Sequence, residues 1–149
     1  MATTTAASRG TAVSTTGLVG GIAGGALGGM VFGMMMQMMG RMPMIAMLVG
    51  SSSIAVAWVT HLAVSMVLGL GFAITLGRSA RTTGAAAGLG AVYGMVWWVL
   101  GGLVLMPLRL GMPTFHFDDM AWQSLMGHMV FGILLGLAFR QIARPSSAA

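Results

Sequence analysis

The residues between Gly17 and Ile142 fall into four apolar runs, about 17–39, 51–76, 84–106 and 119–142, each of 23 residues or more and separated by short segments. About 20 apolar residues in a helix cross the roughly 30 Å hydrocarbon layer of a bilayer. Each run is therefore expected to be a helix that crosses the bilayer. An all-α integral membrane four-helix bundle follows. Composition excludes a water-facing domain: 57% of residues are apolar and 6% charged, against about a quarter charged in soluble domains. The first run also exceeds the roughly 7–15 residues of a signal-peptide core, so it reads as a retained helix.

The connecting segments set the expected organisation. Residues 1–16 are small and polar and are expected to be a disordered tail ending in a Thr15 or Thr16 helix cap; 143–149 form a polar C-terminal tail. Residues 40–50, with Arg41 and Pro43, are expected to bend along the interface, and Ser51 to Ser53 to cap the second helix. The net charge of +5 comes from seven arginines placed between the runs and at the ends, where topology signals lie, so nucleic acid is not the expected partner. Arg9, Arg78, Arg81, Arg140 and Arg144 share one side, and Arg41 and Arg109 the other. That bias puts both termini in the cytoplasm. There is no cysteine, hence no disulfide or thiolate chemistry.

Small residues recur at helical spacing. Gly21, Gly25 and Gly29 line one face of the first helix; Gly90 and Gly94 share a line on the third. In lipid such stripes let two backbones approach, held by van der Waals contact rather than by hydrophobic burial. In the second helix the strip is Ala57, His61, Ser65, Gly69 and Ala73, and 67 residues later Ser124, His128, Gly132 and Gly136 repeat it. The same shift pairs Thr15 and Gly17 with Thr82 and Gly84, whereas a shift of 65 fits better inside the odd-numbered helices, laying Ala26–Phe32 on Ala91–Trp97. The expected fold is two tandem two-helix repeats, about 15–77 and 82–142, related by a pseudo-twofold axis along the membrane normal. On that axis His61 and His128 share one depth.

Tyr93, Gly94 and Trp97, then Leu105, Met106 and Pro107, and later Leu125, Gly127, His128 and Gly132 resemble the pattern of the YagU-like small inner-membrane proteins. The resemblance lies mainly in the second repeat and implies a multi-pass fold and a membrane location, not a mechanism. This chain is shorter than that pattern and richer in methionine and glycine.

Three groups of residues are candidates for chemistry. His61 and His128 each offer a neutral imidazole within a strip of small residues. That suits an interhelical hydrogen bond, and equally a haem or chlorin, which needs a ring nitrogen for the metal and a flat face for the plane. The methionine stripe, with Met34 and Met38 at its centre, offers soft thioethers of the kind that select Cu(I). Methionine also fills gaps beside glycine, and apolar residues occupy the matching places in the second repeat. His116 and Asp118 form a weak metal pair in a loop where Asp118 and Asp119 also read as helix caps. No nucleophilic, phosphate-binding or paired-carboxylate motif occurs, so an enzyme is not expected. The expected role is a structural or accessory membrane component that self-associates or joins a larger complex. The alternatives are a haem- or pigment-binding protein ligated by His61 and His128, and a transporter or channel for protons, small solutes or copper.

Overall fold

The structure, a computed structural model, describes residues 14–143. The two tails lie outside the described residues apart from Ser14 to Thr16 and Ala143. The elements in order are α1 (Thr15–Met38), α2 (Met42–Leu48), α3 (Ile54–Thr75), α4 (Thr83–Trp97), a π-helical segment (Trp98–Leu105), α5 (Met106–Leu110) and α6 (Asp119–Ile142). α4, the π segment and α5 run on as one 28-residue helix, so that four helices are long and apolar enough to cross a membrane. The chain is therefore a multi-pass helical membrane protein.

Short polar side chains start the long helices. Ser14, not Thr15 or Thr16, caps α1 by accepting from the Gly17 N–H at 3.1 Å, and Thr82 caps α4 through the Ala85 N–H at 3.1 Å. Of the three expected serines only Ser53 caps α3, by a 3.5 Å bond, and Asp118 caps α6 more tightly at 2.9 Å. Each cap pairs one of the N–H groups that a first turn leaves without a partner. Within the 40–50 segment lies the short helix α2, with Pro43 in its first turn and glycines of positive φ, Gly40 and Gly50, flanking it. Proline suits a first turn, where no intrahelical N–H bond is lost.

Antiparallel α3, α1, α6 and α4 pack in that spatial order, each on the next. The glycines of α1 serve both of its seams. A methyl group on Gly21 would lie 2.5 Å from the Gly69 carbonyl oxygen, and on Gly24 2.8 Å from that of Leu135. Gly25 likewise meets the Ser65 backbone, Gly29 the Ser65 side chain and Gly28 the Phe131 carbonyl. On the far side of α6 the contacts are Gly90 with Gly132, Gly94 with the His128 backbone, and Gly136 with the Ala86 backbone. Gly21, Gly25, Gly29, Gly69, Gly90, Gly94, Gly132 and Gly136 thus all lie where a side chain would meet a neighbouring helix of the same chain.

α3 and α4 are not joined by a comparable seam. Tyr93 bridges them: its hydroxyl donates to the Leu68 carbonyl at 2.7 Å and its ring lies edge-on to Phe72, 5.4 Å between centroids. Beyond Tyr93 the helix leaves the α register. Pro107 has no N–H, so the Leu103 carbonyl is left without its helical donor and accepts instead from the Phe115 N–H at 3.1 Å. The Met106 N–H reaches back five residues to the Gly101 carbonyl. Proline beside a glycine pair is a recognised cause of such a break.

Candidate functional site

The missing seam leaves a cleft of about 480 Å³, within the roughly 300–1,000 Å³ of small-molecule sites. α3 supplies one wall with His61, Ser65 and Leu68; Trp97, Gly101 and Gly102 supply the other; Phe32 of α1 and His128 of α6 form the floor. Arg109 stands at the α2–α5 end and donates to the Leu48 carbonyl at 3.3 Å. Both glycines matter to the shape: a methyl on Gly101 would meet nothing within 4 Å, and one on Gly102 would crowd Ser124 and Trp98.

Both histidines line this cleft, and each fixes its ring through one nitrogen. His61, buried among the α1–α3 contacts, donates from Nε2 to the Gly29 carbonyl of α1 at 2.9 Å. A carbonyl only accepts, so Nε2 carries the proton and Nδ1 of the neutral ring keeps the lone pair. His128 is reversed: Nδ1 donates to the Ser124 carbonyl one turn back in its own helix, at 2.8 Å, and Nε2 keeps the lone pair. Phe32 packs edge-on to both rings, with centroid distances of 5.5 Å to His61 and 4.8 Å to His128.

The two rings therefore do different work. His61 fastens α3 to α1, and its outer nitrogen is the one engaged. His128 bonds within its own helix and presents its outer nitrogen. In both rings an N–H anchored on a backbone carbonyl stands opposite a bare nitrogen, the arrangement of metal-binding histidines; in His128 the bare nitrogen is the outer Nε2, whereas in His61 it is Nδ1, beside the ring's attachment to its own helix.

Comparison of the chain with family models, with curated proteins and with solved structures found no match. Functional reading rests on the chemistry of the cleft and of the remaining candidates.

Those candidates are placed apart. Met34 is 47% and Met38 88% exposed, so the stripe expected to offer thioethers turns outward. His116 Nε2 lies 3.8 Å from Asp118 Oδ2 in the α5–α6 loop, and among the described residues no three histidines or carboxylates are grouped so as to hold a metal ion. Asp118 is the α6 cap, as expected; Asp119 is not, being the first residue of the helix. Trp122 stacks on Trp98 at 6.2 Å, and Phe117 lies beside both. The residues that shape the cleft, Gly101, Gly102 and Pro107, were not among the expected site residues. Two adjacent glycines followed five residues later by proline, inside an otherwise apolar run, were the available signal.

Proposed function

We propose that the chain is a non-enzymatic multi-pass membrane protein that holds a flat, metal-bearing apolar ligand, a haem or a chlorin, in the cleft between α3 and α4. The observation that carries this reading is the bare Nε2 of His128, its ring already oriented by the Ser124 carbonyl, in an apolar cavity large enough for an organic ligand. A single histidine is sufficient to hold haem iron from one side. Gly101 and Gly102 leave room along the π segment, Trp97 offers a flat surface, and the Arg109 guanidinium at the end suits the carboxylates of such a ligand. Ligation from both sides by His61 and His128 is disfavoured, because His61 uses its outer nitrogen on Gly29.

The test is a visible absorption spectrum of the full chain purified in mild detergent, before and after incubation with haemin or with a chlorin. A band that survives His61→Gln, which keeps a donor toward Gly29, and disappears in His128→Gln supports the reading. A wild-type protein that retains neither pigment overturns it.

Matching contacts support a tandem duplication: Gly25 on the Ser65 and Gly69 backbones answers Gly90 on Gly132, at shifts of 65 in the odd and 67 in the even long helices. The arginine bias supports cytoplasmic termini, and the residues quoted for the YagU-like pattern support kinship with that family and, through it, an inner- or plasma-membrane location. An accessory role in a larger complex is favoured by one observation. Gly84 and Gly88 of α4 are exposed, and a methyl on either would meet nothing within 4 Å, so one small-residue stripe remains for another helix. Both α1 stripes are already used within the chain, which removes most of the surface that self-association was expected to employ.

A further inference from the structure

At the α2–α5 end of the molecule, three methionines that lie far apart in the sequence converge. Met44 comes from α2, Met106 from the start of α5 and Met120 from the first turn of α6. All three line both of two small cavities there, of about 60 and about 50 Å³. Either volume suits a single ion rather than an organic ligand, since a water molecule occupies roughly 30 Å³ of liquid. The surroundings of the two differ. The inner cavity includes Arg41, whose Nη2 donates to Gln123 Oε1 at 3.2 Å, and a guanidinium repels a cation. The outer cavity has no arginine in its lining and adds a further thioether, Met112, together with His116 and Asp118.

We infer that the outer cavity is a binding site for a soft monovalent cation, Cu(I), with Met44, Met106 and Met120 as its thioether ligands. Thioether sulfur is neutral and polarisable, so it binds Cu(I) well and hard divalent ions such as Mg²⁺ or Ca²⁺ poorly. It also needs no deprotonation to bind. The three side chains come from three segments brought together by the fold, unlike Met34 and Met38, which share one exposed face of α1. His116, 67% exposed at the side chain, and Asp118 stand where an ion would pass between solvent and the sulfurs. The ordinary alternative is that methionine merely fills space here, and filling space is a task that leucine performs as well.

That difference supplies the test. The full chain in mild detergent is titrated anaerobically with Cu(I) against a chromophoric Cu(I) chelator, and the metal environment is read by X-ray absorption. One tightly held Cu(I) per chain with a sulfur-rich shell is expected, weakened at least tenfold in M44L/M106L/M120L and unchanged in M34L/M38L. Zn(II) is not expected to compete. Failure of the wild type to retain Cu(I), or equal affinity in the triple leucine variant, overturns the site. Should the triple variant not fold, wild-type protein carrying ¹³C-methyl methionine is titrated with Ag(I). Early shifts confined to the resonances of Met44, Met106 and Met120, assigned by single leucine variants, support the site; shifts spread over the other methionines, or none, overturn it. Met106 also lines the cleft, so pigment retention is read in the wild type and the histidine variants, apart from these titrations.

Discussion

The pair α1–α3 and the pair α4–α6 are closed by the same device, glycine against backbone, yet they end differently. In the first, the seam continues to the histidine: Gly29 receives the His61 N–H, and Gly33 beyond it packs on the Trp58 ring. In the second, Gly94 rests on the His128 backbone while the ring turns away and bonds to its own helix. One turn further on, α4 gives way to the π segment. The difference teaches that a repeated strip of small residues determines where two helices touch, and that what lies just past the strip determines whether a histidine fastens or presents. His61 stands eight residues after its cap and His128 ten after its own. At 1.5 Å per residue the two rings are therefore about 3 Å different in distance from their helix starts.

The comparison can be broken at its shared part first. Gly25→Leu and Gly90→Leu should each prevent the seam they occupy from closing, and even Gly25→Ala or Gly90→Ala should cost about 1–3 kcal/mol, as overpacking does. Gly84→Ala and Gly88→Ala, facing open space, should be neutral or slightly stabilising. Thermal unfolding in detergent, followed by circular dichroism, measures all of these. Equal losses at Gly84 and Gly90 would contradict the seam assignment.

The unequal histidines come next. His61→Ala removes an interhelical bond and leaves the Gly29 side of the seam without its donor, which should cost about 1–2 kcal/mol. His61→Gln should recover most of it. His128→Ala should cost less, about 0.5 kcal/mol, because its bond lies within one helix. The same unfolding experiment ranks the three, and a larger loss at His128 than at His61 would reverse the roles assigned here.

Pro107→Ala restores an N–H to the Leu103 carbonyl and should draw the π segment back toward α register, narrowing the cleft. Its effect on stability should stay within about 1 kcal/mol, while distances between spin labels on α3 and on the π segment shorten. The smallest contrast is at the caps. Asp118→Ala should cost about 1 kcal/mol, and Ser53→Ala, whose bond is the longer at 3.5 Å, about half of that or less.

Much of this architecture was readable from periodicity. Apolar run length gave four crossings because lipid leaves a chain of this composition few other choices. The glycine stripes were legible because a residue without a side chain at every fourth place has few uses but close approach. The cap of α1 was misplaced by one or two residues because Ser14, Thr15 and Thr16 are chemically alike as caps. The cleft was not legible. It depends on Tyr93 closing one end of the α3–α4 boundary and on Pro107 releasing a carbonyl to the distant Phe115 N–H, and a helical wheel contains neither partner. Nor does periodicity show which nitrogen of a histidine finds an acceptor. The gathered methionines are hidden for the same reason: the densest methionine stretch in the sequence is Met34 to Met39, whereas Met44, Met106 and Met120 meet only through packing of three segments.

The inequivalence of the two imidazoles is best tested by ¹⁵N NMR of histidine-labelled protein in detergent, which reads directly which ring nitrogen carries the proton. The expected spectrum has His61 protonated at Nε2 and His128 at Nδ1, the two assigned by His61→Gln and His128→Gln. Both rings in one tautomer would contradict the division between a fastening and a presenting histidine, and with it the reading of the cleft.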